Sequence, residues 1–211
     1  MKFPVLSLDG SKSDTIEISD KLVKLKINYK LVKYVIDWQL NNSKPRTAKT
    51  KQRNQIKGST KKIVAQKGSG GARHASRKAP IFVGGGVAHG PKGDRYKAKK
   101  INKKVKKIAL AQSLSKKNSE KKLHILADVK KEIKKTKEFN NFLEKNKINN
   151  VLIISDSESL KNINKSARNI KNLKLIKDEG ANIYDVFNYK NVIITSSSAK
   201  KIQQRVLNEK N

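Results

Sequence analysis

Between Lys44 and Lys107 the chain carries 21 lysines and arginines and one acid, Asp94. This stretch constrains the fold more than any other, because a segment of net charge +20 repels itself and has little apolar surface to bury. Ile56, Ile63, Val64, Ile81, Phe82, Val83 and Val87 are scattered along it without helical or strand periodicity. Nine of the chain's 11 glycines fall inside it, with Pro45, Pro80 and Pro91. A long stretch without regular structure inside a domain is either functional or a disordered linker, and composition alone leaves both open. Fully extended at ~3.3 Å per residue, an excursion over residues 44–99 that goes out and back reaches at most ~90 Å.

The rest of the chain is less charged. Residues 1–43 have a net charge of +2 and residues 108–211 of +11, against +33 for all 211 residues. Domains of about 150 residues are usual, so one or two are expected. A surplus this large draws a chain to polyanions. Cysteine is absent, which excludes disulfide scaffolds, zinc–cysteine sites, iron–sulfur clusters and thiol nucleophiles. No apolar run approaches the ~18 residues of a membrane helix. Met1–Leu6 meets Ser7 and Asp9 too soon for a signal peptide, so a soluble, intracellular setting is expected.

The flanks read as folded. Phe3, Val5, Leu6 and Leu8 face Thr15, Ile16 and Ile18 across Asp9-Gly10, which predicts a hairpin. Leu31, Val35 and Trp38, joined by Val32 and Ile36, predict a helix over 28–42 started by Asn28. Asn102 is placed to cap a helix reaching Leu114. Its apolar side is read as Ile101, Val105 and Ile108, and its cationic side as Lys100, Lys103, Lys104 and Lys107. Strands are then expected at 123–127, 151–154, 173–177 and 192–194. Helices are expected near 136–147, 157–170 and 183–187, and from Ala199 onward. This alternation predicts an α/β fold, a parallel sheet flanked by helices and Rossmann-like in layering, without a nucleotide fingerprint. The globule is expected to be discontinuous, built from 1–43 and 100–211, with 44–99 protruding as a long extended basic loop.

Enzyme signals are weak. Gly68-Ser69-Gly70-Gly71 lacks the strand before it and the apolar helix after it that a dinucleotide fingerprint requires. Gly86-Val87-Ala88-His89-Gly90-Pro91-Lys92 lacks the Gly-Lys-Ser/Thr of a P-loop, and Pro91 removes an amide donor. Ser155-Asp156-Ser157-Glu158 and Thr195-Ser196-Ser197-Ser198 follow strands, where ligand sites form, but Ser and Asp before a helix are also ordinary caps. His74, His89 and His124 share no metal-ligand spacing. No cofactor, metal or small-molecule substrate is expected.

The nucleic-acid signal is stronger: many cations, one acid, and glycines that allow close backbone approach. Aromatics are few, so backbone contact should outweigh base stacking. No helix-turn-helix, zinc-finger or RNP pattern is visible, which favours shape-dependent binding to folded RNA. A charge-only nucleic-acid condenser is the alternative.

Residues 61–95 also carry a specific pattern. Lys61-Lys62-Ile63-Val64-Ala65-Gln66-Lys67-Gly68-Ser69-Gly70-Gly71-Ala72-Arg73-His74, followed by Ala79-Pro80-Ile81-Phe82-Val83-Gly84-Gly85-Gly86-Val87-Ala88-His89-Gly90-Pro91, resembles the bacterial-type large-subunit ribosomal protein family called "L-four". Thr47–Lys51, Asn102–Val105 and the C-terminal α/β half continue the likeness, which covers essentially the whole chain. Ser69, Gly71 and Ile63-Val64-Ala65 depart from the family's common pattern.

The resemblance implies a structural constituent of the large ribosomal subunit with no enzymatic activity, in a cytoplasmic or an organellar ribosome. Its partners would be large-subunit rRNA and neighbouring large-subunit proteins. The residues implied in rRNA binding are Lys44, Arg46, Lys49, Lys51, Arg53, Lys57, Lys61, Lys62, Lys67, Arg73, His74, Arg77, Lys78, Lys92, Arg95, Lys97, Lys99, Lys100, Lys103, Lys104 and Lys107. The loop tip at Gln66, Lys67, Gly68, Ser69, Gly70 and Gly71 would help line the peptide exit tunnel.

Overall fold

A continuous apolar run, Val151-Leu152-Ile153-Ile154, sits at the centre of the architecture. In the computed structural model, which describes residues 1–8, 12–45, 47–93, 100–133 and 135–207, it is strand β4 (Val151–Ser155), buried along its length. Val151 and Ile153 face one helical layer, while Leu152 and Ile154 face the other.

The other strands are β1 (Lys2–Leu6), β2 (Lys12–Glu17), β3 (Leu123–Leu126), β5 (Leu173–Lys177) and β6 (Asn191–Thr195). They form one six-stranded sheet in the order β2-β1-β3-β6-β4-β5. β1, β3, β6, β4 and β5 run parallel. β2 is antiparallel to β1, with Phe3 opposite Ile16. The hairpin therefore joins the parallel strands, and the sheet is mixed where a parallel one was expected. Asp9-Gly10, the expected turn, lies outside the described residues.

The helices are α1 (Asp20–Val23), α2 (Tyr29–Ser43), α3 (Lys103–Ser119), α4 (Thr136–Lys145), α5 (Ser157–Ala167), α6 (Ile183–Asn188) and α7 (Ser196–Leu207). Val32 and Val35 of α2, Leu110 and Leu114 of α3, Ile183 of α6 and Ile202 of α7 pack on one sheet face. Phe139, Phe142 and Leu143 of α4 and Ile163 of α5 cover the other. Asn28 caps α2 as expected, its Oδ1 accepting from the amides of Lys30 at 3.1 Å and Leu31 at 3.3 Å.

α3 departs from expectation. Its apolar side is not Ile101–Val105–Ile108, since Ile108 is 46% exposed. Its second half is buried nearly all round, from Ala109 to Ser115. The polar residues there bind neighbouring backbone: Ser115 Oγ accepts from Leu25 N at 3.0 Å, and Gln112 Oε1 from Asn28 N at 3.2 Å. Lys117 Nζ donates to the carbonyls of Tyr189 at 2.7 Å and Lys190 at 3.2 Å. Burial holds its pKa below the ordinary lysine value.

The chain divides into two compact units, Met1–Leu40 with Lys100–Asn211, and Asn41–Lys99.

Candidate nucleic-acid interface

The unit of residues 41–99 is ordered by backbone hydrogen bonds between its outgoing and returning halves. Gly93 N donates to Ala48 O at 2.8 Å, Thr50 N to Pro91 O at 2.9 Å and Val87 N to Lys51 O at 2.9 Å. Lys49 and Lys92 form an antiparallel bridge. Further along, Gly86 N donates to Lys78 O at 3.0 Å and Ile63 N to Ala75 O at 3.0 Å, with residues 64–74 beyond that last pairing. A 3₁₀ turn covers Arg53–Gln55.

Gly85, Gly86 and Gly90 serve this internal packing. A Cβ on Gly85 would lie 2.0 Å from Ala79 O, one on Gly86 2.2 Å from Arg53 N, and one on Gly90 2.1 Å from Thr50 Oγ1. Gly68 and Gly70 are different. They adopt φ of +82° and +65° with no atom within 4 Å of an added Cβ, so they turn the chain in open space. Gly71 has ordinary φ, so no left-handed turn requires glycine there.

The cations point outward. Lys44, Lys49, Lys51, Arg53, Lys57, Lys61, Lys62, Lys67, Arg73, Arg77 and Lys92 are exposed, and His74 and Lys78 are half-buried. None of the ion pairs among the described residues involves a cation between Lys44 and Lys92. Arg46, Arg95, Lys97 and Lys99 lie outside the described residues. His74 packs edge-on to Phe82 with ring centroids 5.0 Å apart, which occupies two of the few rings available for base stacking. Lys62 Nζ donates to Gln66 Oε1 at 2.5 Å within the tip. Ile81 is 70% exposed and the Val83 side chain is fully exposed, an apolar patch the charge pattern did not reveal.

Lys100, Lys103 and Lys104 are also exposed, and Lys107 is half-buried. Lys100 precedes the helix, because Asn102 caps α3 by accepting from Lys104 N at 3.3 Å. Lys103, Lys104 and Lys107 belong to its first turns.

Most of the strand-end polar groups are bound within the fold. Asp128 accepts from Ser197 N at 3.0 Å and from Ser197 Oγ, fixing the start of α7 from the β3–α4 loop. Ser196 Oγ donates to Leu126 O at 3.2 Å, and Thr195 Oγ1 to Ser198 Oγ at 2.9 Å. Asp156 makes no side-chain cap on α5 and pairs with Lys201, which also lies 3.4 Å from Asp178. Ser155 Oγ is buried without a hydrogen-bond partner among the described residues. His124 is half-buried beside Asn191, and desolvation lowers its pKa. No cluster of metal-ligating side chains occurs among the described residues.

This geometry defines a protein that presents cations on a scaffold: an α/β unit whose strand-end groups brace the fold, and a second unit whose surface is cationic and free of acids through Gly93. The chain belongs to the Ribosomal protein L4/L1 family, which it matches over residues 16–205. It is 51% identical to large ribosomal subunit protein uL4 of Pelagibacter ubique over 206 residues, covering 97% of this chain and 99% of that one. It is 37% identical to uL4 of Hyphomonas neptunium over 206 residues, covering 97% and 96%. With uL4 of Geotalea uraniireducens it shares 35% identity over 202 residues, covering 96% and 97%.

Proposed function

We propose that this protein is a structural constituent of the large ribosomal subunit in the cytoplasm and catalyses no reaction. Residues 44–99 and the start of α3 bind large-subunit rRNA. The tip at Gln66–Gly71 helps line the peptide exit tunnel, with Lys67 nearest the wall. The α/β unit, Rossmann-like in its two helical layers, anchors the chain beside neighbouring large-subunit proteins.

The observation that carries this reading is the run of exposed cations from Lys44 to Lys92 with no acid among them. Such side chains displace condensed counterions when they meet phosphates, which makes binding favourable and dependent on salt. Glycine-braced backbone keeps those cations on an ordered frame, so less ordering entropy is lost on binding. Ile81 and Val83 supply apolar contact that a partner surface would cover. Family membership, and the name its relatives carry, support the ribosome as the place where this happens.

Sedimentation tests it. A tagged chain from a lysate washed at high salt should co-sediment stoichiometrically with the large subunit and be released when RNase destroys that particle. Recovery at the top of the sucrose gradient would overturn the reading in favour of a free regulator or nucleic-acid condenser.

A further inference from the structure

The loop between β3 and α4 gives the α/β unit a second cationic surface. Residues 130–137 read Lys-Lys-Glu-Ile-Lys-Lys-Thr-Lys, five lysines and one acid in eight positions. Lys130, Lys131, Lys135 and Lys137 are exposed, and Lys137 lies in the first turn of α4. Lys134 lies outside the described residues. The acid, Glu132, is met from α5 by Lys165 at 2.7 Å.

The backbone under these lysines is fixed. Val129 and Ile133 are buried in the core layer that α4 and α5 share. Val129 N donates to Ser159 Oγ at 3.2 Å, Asn162 Nδ2 to Val129 O at 2.7 Å and Ile133 N to Asn162 O at 3.0 Å, so three bonds strap the loop to α5. Asp128 braces its start against α7 by accepting from Ser197 N at 3.0 Å. The strap keeps like charges together, at a cost in mutual repulsion that a polyanion offsets. The loop also leaves the carboxyl end of β3, the end of a parallel sheet at which α/β folds gather ligands.

We propose that this loop docks on the phosphodiester backbone of a folded RNA through Lys130, Lys131, Lys135 and Lys137. The proposal rests on the reading of the chain as an rRNA-binding protein. It adds an RNA contact on the layer of α4 and α5, separate in sequence from residues 44–107.

Two features select this occupant over an acidic protein. Residues 128–138 contain no aromatic and no arginine, and their apolar side chains, Val129 and Ile133, are buried. A protein interface draws its energy from such anchors, and this loop displays none of them. The cations are all lysines, compact point charges that suit phosphate oxygens. With no ring to stack on a base, the contact follows the shape of the backbone rather than its sequence.

Two experiments on the full-length chain test this. In the first, purified large-subunit rRNA is titrated over a range of salt with the parent and two variants. One carries Lys130→Gln, Lys131→Gln, Lys135→Gln and Lys137→Gln. The other carries Lys21→Gln, Lys26→Gln, Lys30→Gln and Lys33→Gln, exposed positions around α1 and α2 on the other face of the sheet. Each phosphate contact on a duplex contributes about 0.9 to the slope of log affinity against log salt. The loop variant should lose up to about 3.6 from that slope and bind at least about tenfold more weakly at about 0.2 M salt, while the matched variant changes little. A loop variant with arginine at the four positions keeps the charge and should bind like the parent. Equal losses in the loop and matched glutamine variants would overturn the proposal in favour of general cationic attraction.

In the second, salt-washed large subunits carrying the chain are treated with a lysine-acylating reagent and, separately, with a lysine-to-RNA cross-linker. The four loop lysines should react at least about tenfold more slowly than in the free chain, and loop peptides should carry nucleotides. Full reactivity of those lysines in a chain that co-sediments would overturn the loop contact and leave the ribosomal reading intact. Protection with cross-links to protein alone would make the loop a protein dock and overturn the proposal. Absence of the chain from the subunits would remove the ribosomal reading, and the salt titration would then decide the loop by itself.

Discussion

The ammonium of Lys117, buried midway through the sequence on α3, donates to the backbone carbonyl of Tyr189 at 2.7 Å, tying α3 to the turn between α6 and β6. Replacing it with methionine keeps the stem but leaves that carbonyl and its neighbour at Lys190 unpaired. A buried unsatisfied group costs about 1–3 kcal/mol, so denaturant unfolding of Lys117→Met should show a loss of that size. Burial also lowers the lysine's pKa in the folded state. In the alkaline window just below the ordinary lysine value the unfolded chain then holds more protons, so this residue's contribution to stability rises with pH there. The parent should show that rise and the methionine variant should not. Equal slopes for the two would argue against it.

Asp156 gives the opposite limb. Its hydrogen bond from Lys201 lowers the carboxyl pKa below the usual value. The stability this adds is complete at neutral pH and is lost as pH falls through the carboxylate range toward the depressed value. Asp156→Asn should therefore flatten the acid limb of the stability profile while leaving ribosomal recovery unchanged. Loss of ribosomal recovery in a variant that unfolds normally would give Asp156 a role beyond the fold.

The glycines separate two jobs. Gly86→Ala places a methyl 2.2 Å from Arg53 N, where only backbone movement can relieve it. It should break the pairing of Gly86 with Lys78 and open residues 41–99 to limited proteolysis. Gly68→Ala meets no neighbour and costs only left-handed strain, about 1–2 kcal/mol, at φ of +82°. Its proteolysis pattern should match the parent. Similar digestion of both variants would mean that the packing around Gly86 does not order the segment.

Deleting residues 48–98 removes 13 of the 21 cations between Lys44 and Lys107 and none of the α/β core. The shortened chain should unfold cooperatively by circular dichroism yet fail to co-sediment with large subunits after a salt wash. Failure of the deletion to fold would mean that the α/β unit depends on the basic segment.

Much of the α/β unit was legible because its signals are local. Val151–Ile154 reads as a strand buried on both faces, and Asn28 and Asn102 mark helix starts by cap chemistry. α1 was not legible, since four residues are too few to show a period. The burial of α3 escaped for another reason. Gln112, Ser113 and Ser115 look solvated in sequence, and only partners some 90 residues away, such as Leu22 and Leu25, make them core. The cationic segment was plain from its charge. The roles of Gly85, Gly86 and Gly90 were not, because a close backbone approach leaves no trace in composition.

The position of β6 has a consequence for synthesis. It lies between β3 and β4, so those two strands never touch and the sheet is held in two pieces until residues 191–195 arrive. A chain emerging from the ribosome at about 5–20 residues per second exposes its cations long before that closing strand is made. Pairings this distant in sequence are slow to form. For that interval the cations are displayed beside an unfinished sheet, able to adhere to any nucleic acid nearby. Rapid capture by a dedicated site or escort would then shape its fate as much as final affinity does.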